Sequence, residues 1–96
     1  MLIVVTIDLT MANLVSFDQY EAKALAILTA QGGTVQRRIR SLNNASETHI
    51  LHFPNEDAFA HFMASPDRTA LNSEWLACGA KATLHYGKDV AATRQV

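Results

Sequence analysis

Between residues 2 and 9 the chain reads LIVVTIDL, a nearly continuous apolar and β-branched run that suits an inner strand covered on both faces. Alternation puts Ile3, Val5, Ile7 and Leu9 on one face and Leu2, Val4, Thr6 and Asp8 on the other, so only the second face carries polar groups. The period then changes from 2 to 3.6. Ser16 followed by Gln19 has the form of a capping box, and Val15 and Tyr20 stand at the spacing of a hydrophobic staple. Phe17, Tyr20, Ala24, Ile27 and Leu28 make one stripe, which predicts a helix from about residue 17 to the Gly32-Gly33 pair.

Residues 34–42, TVQRRIRSL, read as a second strand, and Asn43-Asn44 mark a hairpin turn because asparagine tolerates positive φ. The third strand follows over 46–53. Pro54 cannot donate to a sheet, Asn55 can cap a helix, and Glu56 and Asp57 then face the positive end of its dipole. Phe59, Phe62 and Met63 point inward on that helix and His61 points out. Ser65-Pro66 restarts a helix, with serine as cap and Leu71, Trp75 and Cys78 as its buried stripe, and Gly79 stops it. Residues 80–87 give a fourth strand.

The order β-α-β-β-α-β predicts an α+β, ferredoxin-like fold: a four-stranded antiparallel sheet with both helical segments on one face. The other face then exposes Leu2, Val4 and Ile50, and leaving such side chains wet forfeits roughly 1.5 to 3 kcal/mol each. Pairing two such faces removes that cost, so the pattern predicts a homodimer forming a closed or nearly closed barrel.

Phe17-x-x-Tyr20, Gly32-Gly33, the strand ending in Phe53-Pro54, and Ala58-Phe59-x-x-Phe62-x-x-Ser65-Pro66-x-Arg68 resemble the dimeric α/β-barrel superfamily. Within it they are most similar to the small domains of unknown function related to the antibiotic-biosynthesis monooxygenases. The resemblance covers roughly residues 2 to 87 and implies a homodimer with small-molecule pockets between sheet and helices or inside the barrel. Haem-degrading members carry a tryptophan where this chain has Phe53 and a haem-binding histidine where it has Asn72, so haem chemistry is disfavoured and no cofactor is expected.

Composition narrows the picture further. A chain of 96 residues is one domain, here 1–87 followed by a polar tail over 88–96, and a domain this small buries only about 60 to 65% of its unfolded surface. With 49% hydrophobic and 18% charged residues, association would cover apolar area that folding leaves exposed. A net charge of −1 gives no footprint for a polyanion, which argues against nucleic acid. No apolar run approaches the roughly 20 residues of a membrane span. The single cysteine, Cys78, excludes an intrachain disulfide and suits a reducing cytoplasm.

Candidate chemistry collects on the face turned away from the helices, where parity places Thr6, Asp8, His52, Thr83 and His85. A three-residue hairpin loop would add Gln36, Arg38 and Arg40 to that face, whereas a two-residue loop would add Arg37, because a slip of one residue reverses every side chain. His52 and His85 are candidates for proton transfer near neutral pH, and Asp8 with an arginine for orienting an anionic or carbonyl substrate. Thr6, Arg38, Arg40 and Tyr20 are the candidate ligand contacts, Tyr20 being a core residue whose hydroxyl can edge a pocket. The structural alternative is that the histidines make interface hydrogen bonds and Asp8 an interface ion pair. His49 and His52, three apart on a strand, point to opposite faces and cannot chelate together, so no metal site is expected. Three functions follow: a small-molecule binding protein, a cofactor-independent monooxygenase- or isomerase-type enzyme, and a non-catalytic dimerisation module. A cavity of about 300 Å³ or more containing His52 or His85 would separate the first two from the third.

Overall fold

The computed structural model describes residues 1–90. The elements are β1 (Leu2–Asp8), α1 (Leu14–Ala30), β2 (Thr34–Arg40), β3 (Ser46–His52), α2 (Glu56–Ala64), α3 (Pro66–Thr69), α4 (Asn72–Cys78) and β4 (Lys81–Gly87). The strands form one antiparallel sheet in the order β2-β3-β1-β4, the ferredoxin-like βαββαβ arrangement expected from the hydrophobic pattern. The expected strand over 80–87 is met by β4. The part of the tail over 91–96 lies outside the described residues.

Two apolar clusters lie between sheet and helices. Ile3, Leu28, Leu51, Phe53, Phe59 and Phe62 form one, and Ile7, Leu9, Phe17, Cys78 and Ala80 the other, with the partly buried Val5 touching both. Phe17 and Phe53 are fully buried, and each such ring contributes up to about 3 kcal/mol by removal from water. Phe53 anchors its cluster by edge and tilted contacts with Phe59 and Phe62 at centroid distances of 5.3 and 5.6 Å.

Local chemistry departs from the expected pattern at three places. The first helix begins at Leu14, because the Asn13 side chain accepts the Ser16 amide at 2.9 Å and so acts as the cap; Ser16 lies inside the first turn and Val15 is exposed, without a staple. The last helical segment is two short helices, α3 and α4. Ser65 occupies the cap position before Pro66, but its buried hydroxyl makes no hydrogen bond. Met63 is partly exposed rather than core. Of the stripe expected in that last segment Cys78 is buried and Leu71 and Trp75 only partly, whereas Asn55 caps α2 through the Ala58 amide, Gly79 ends α4 in the left-handed conformation, and Gly32 does the same after α1, as read.

The hairpin decides which arginines face where. Arg40 stands opposite Glu47, and the Ser41 amide donates to the Ser46 carbonyl at 2.9 Å, so residues 42–45 form a four-residue loop with Asn44 at φ 59°. An even loop has the parity of a two-residue one. Arg38 and Arg40 therefore point toward the helices, and Arg37 and Ile39 lie on the open face; the placement of Arg38 and Arg40 beside Thr6 and Asp8 is corrected. A bulge at Gln36, between Val35 and Arg37, keeps the start of β2 in phase with the core.

Candidate functional site

The open face holds His52 opposite Leu2 and Thr34, His85 opposite Val4, and Thr6 between Thr48 and Thr83. Asp8 sits between Ser46 and Lys81, one pleat along from Thr48 on the same face, while Arg40 lies on the other face opposite Glu47. Its carboxylate accepts from the Thr10 amide at 2.9 Å and hydroxyl at 2.7 Å, which hold its pKa below the ordinary value. That pair closes the turn after β1. Among the described residues, none of Thr6, Asp8, His52, Thr83 and His85 lines the cavity on the helix side of the sheet or the shallower one beside α2.

A half-open space lies on the opposite side of the sheet. A cavity of about 410 Å³ opens between β1, β3 and β4 below and the helices above. Leu25, Leu28, Phe59, Phe62 and Trp75 form its apolar walls, and the exposed Met63 and Leu84 mark its mouth. Tyr20 lines it, as expected from the first helix stripe, with its ring tilted against Trp75 at a centroid distance of 5.1 Å.

Two titratable residues at the cavity wall were not expected there, and a third stands behind them. Glu21, from α1, and His49, from β3, line the cavity, and Glu47 lies one pleat along from His49 on the same face. All three are at least 95% buried, with 5, 3 and 2% of their surface exposed. His49 Nε2 contacts Glu47 Oε2 at 2.5 Å, and His49 Nδ1 lies 3.8 Å from Glu21 Oε2. Arg38 Nε donates to Glu47 Oε2 and Arg40 Nε to Glu47 Oε1, both at 2.8 Å, and the two guanidiniums also meet Asp18 on α1.

The electrostatics assign a state to each group. Burial pushes the Glu47 carboxyl up, but the hydrogen bonds from Arg38, His49 and Arg40 together outweigh it and hold the pKa below the ordinary range. Burial also pushes the His49 pKa down, with Glu47 opposing. At neutral pH Glu47 is thus a carboxylate and His49 a neutral imidazole. Since a carboxylate only accepts, the proton of that imidazole sits on Nε2 and Nδ1 is bare. Glu21 has no such compensation: burial raises its pKa from 4.5 to about 7, with Arg38 as the main opposing charge. The result is a carboxylate, an imidazole with a free lone pair, and a half-protonated carboxyl, in that order toward the cavity.

The ligand atoms of Glu21, Glu47 and His49 lie within 4.8 Å of one another, which is metal-ligand spacing. The donor set does not suit a cation. Both oxygens of Glu47 already accept from guanidiniums, so a metal would have to displace them and then sit beside two positive charges.

Sequence reasoning missed this constellation although its signal was present. Glu47 and His49 share parity with the core residues Leu51 and Phe53, and Glu21 stands four residues after Phe17 and three before Ala24, in the middle of the buried stripe. Arg38 and Arg40 reach the site as the clamp on Glu47 rather than through the open face.

This is the ferredoxin-like architecture that carries the antibiotic-biosynthesis monooxygenase-type proteins, and solved structures of that kind superpose on it. SnoaB, a cofactor-independent oxygenase from Streptomyces nogalater, aligns with a TM-score of 0.73 at 18% identity over 93% of each chain. A candidate antibiotic-biosynthesis monooxygenase from Caulobacter crescentus CB15 aligns with 0.67 at 15% identity, over 92% of this chain and 91% of its own. An uncharacterised NIPSNAP domain protein from Burkholderia xenovorans aligns with 0.64 at 10% identity over 97% of this chain and all of its own. At these identities the likeness establishes the fold. No protein-family model and no curated protein matches the sequence.

Proposed function

We propose that the chain binds a small organic molecule in the cavity between sheet and helices and acts on it as a cofactor-independent oxygenase. One observation carries the reading: a buried Glu47–His49 pair presents a bare imidazole nitrogen to an apolar cavity of about 410 Å³, with Glu21 beside it. That volume falls within the range of small-molecule sites. The cofactor-independent oxygenase with the same fold supports the reaction class.

Such an imidazole is a base for a carbon acid. His49 Nδ1 takes a proton from an activated CH2 next to an aromatic or carbonyl group, and Glu47 stabilises the imidazolium that forms. The carbanion gives an electron pair to dioxygen and a C–O bond forms; the peroxide takes the proton back. Loss of water then breaks the O–O bond and leaves a carbonyl, so one oxygen atom enters the product and the other leaves as water. The substrate is the reductant, so the chemistry requires no further redox group. Apolar walls favour the step by excluding water from the carbanion.

The test uses 2-tetralone, an enolisable two-ring ketone. Exchange of its C1 protons with deuterated water, followed by NMR, reads the proton transfer alone, and oxygen uptake reads the whole reaction. The His49→Ala variant should lose about 100-fold or more of the exchange rate. Exchange no faster than in buffer, or undiminished in His49→Ala, would remove the reading.

Two further elements belong to it. A second copy covers the open sheet face, supported by the half-buried Leu2, Val4 and Ile50 and the exposed Ile39 on that face, so light scattering at micromolar concentration should give a dimer mass. The setting is a reducing cytoplasm, since the lone thiol of Cys78 is buried and unpaired; among the described residues no helix is long and apolar enough to cross a membrane.

A further inference from the structure

The cavity has a second polar end, remote in sequence from the His49 group. Arg68, on α3, lines it together with Thr69, Asn72 and Tyr20. The Arg68 guanidinium lies 5.4 Å from the Phe62 ring centroid, and its Nη1 donates to the Met63 carbonyl at 3.3 Å. Among the described residues it forms no ion pair, unlike Arg38 and Arg40. Two acids on the helices around the cavity are already engaged: Glu74 is held by Lys23 at 2.9 Å, and Glu21 is half-protonated at neutral pH. The Tyr20 hydroxyl, which lines the same cavity and has no protein hydrogen-bond partner among the described residues, adds a donor; burial raises its pKa, so it keeps its proton at neutral pH.

A guanidinium with most of its donors free, stacked on an aromatic wall of a cavity, is built for a planar anion. We infer that the ligand of this cavity is an amphipathic organic acid, its carboxylate held by Arg68 and Tyr20 at the α3 end and its apolar body packed between Phe59, Phe62 and Trp75. This rests on the proposed small-molecule site and specifies the class of molecule it takes. The arrangement also orients the ligand. A carboxylate fixed at Arg68 turns the far side of the ring system toward His49, so the group that loses its proton is the one opposite the acid. Repulsion reinforces the direction, because a carboxylate placed at the other end would meet Glu47 and Glu21.

Calorimetric titration of 2-naphthoate and its neutral isostere 2-naphthamide tests this with the full chain. Wild-type protein should bind the acid about tenfold or more tightly than the amide, as expected for charge-assisted hydrogen bonds to a guanidinium. Arg68→Met, which keeps the stem over Phe62, should abolish the preference by weakening the acid far more than the amide, whose carbonyl loses only a neutral hydrogen bond; Arg68→Lys should retain part of the preference. Thermal melts of each variant check that the fold survives. Equal binding of acid and amide, both blocked by the cavity-filling Leu25→Trp, would overturn the organic-acid assignment and leave the cavity site standing. Equal loss of both ligands in Arg68→Met would overturn it as well, by reducing Arg68 to a wall. If neither compound binds wild-type protein, the inference and the small-molecule reading fall together.

Discussion

Replacing Glu21 by Gln should make the protein more stable at high pH and leave it nearly unchanged at low pH. The folded-state pKa of Glu21, about 7, is raised above its ordinary 4.5 by burial, so the folded chain holds this proton more tightly than the unfolded chain does. The sign follows from that difference. Below about pH 4.5 the carboxyl is neutral in both states and costs little; as pH rises through 4.5 toward 7 the unfolded chain ionises first, and stability falls until the folded carboxyl ionises too. A gap of 2.5 pKa units corresponds to about 3 kcal/mol at pH 8. Glutamine has nearly the same shape and no charge, so the variant escapes the loss. Urea denaturation of wild type and Glu21→Gln at intervals between pH 4.5 and 8 gives the difference directly. Taking the difference also largely cancels His49, whose lowered pKa makes stability rise with pH just below 6.5, opposite in sign to Glu21. A difference that stays flat over this range would mean that Glu21 is hydrated in solution, and the description of a half-protonated acid at the cavity wall would be refuted.

Arg40→Ala removes one of the two guanidiniums on Glu47, whose carboxylate is 2% exposed; the expected loss is about 2 to 3 kcal/mol at pH 7, measured by denaturation. Because the Glu47 pKa is lowered in the fold, that support is present above the ordinary carboxylate pKa and disappears as pH falls through the folded one, so the deficit should shrink toward pH 3. Gly33→Ala should cost about 1 to 3 kcal/mol, since a Cβ there would lie 2.6 Å from Leu28 Cδ2 and 2.9 Å from Phe53 Cε1. Gly32→Ala meets open space and should cost only about 1 kcal/mol, from its φ of 87°. His52→Ala and His85→Ala, both on the open face, should leave 2-tetralone exchange unchanged while weakening self-association seen by light scattering. Loss of exchange with an intact dimer would return the chemistry to the open face.

The fold was legible because its signals are local or periodic. The run from Leu2 to Leu9, the asparagine turn and Asn55 after Pro54 each act within a few residues of themselves, and together they leave one topology. The boundary errors have the same origin. Asn13 and Ser16 are both competent caps, and only the packing of α1 against the sheet chooses between them. The site was less legible because it depends on register. Whether Arg38 and Arg40 face the helices turns on the parity of the hairpin loop, which Asn43-Asn44 mark without counting. Parity puts His52 and His85 on the open face, where they stand, and His49 with Glu47 on the other, but alternation along a strand does not tell a working polar pair on the core face from two separately satisfied side chains. The other neighbour of His49, Glu21, comes from a helix 28 positions earlier in the chain, and no spacing rule joins the two.

Stability does not explain all three buried groups. Glu47 is held by two arginines and a histidine, and Asp18 closes the network on the α1 side, so its burial is compensated. His49 is buried neutral, which costs far less than burying a charge. Glu21 is different. Its oxygen stands 3.8 Å from His49, too far for a hydrogen bond, and burial has raised its pKa by more than its neighbours lower it. An alanine or leucine at this place in the α1 stripe would pack against the same residues without that cost. In a domain with so small a core, a carboxyl that weakens the fold at neutral pH is best explained by the cavity it lines, where, on the proposed function, it would trade a proton with the bound ligand rather than directly with His49.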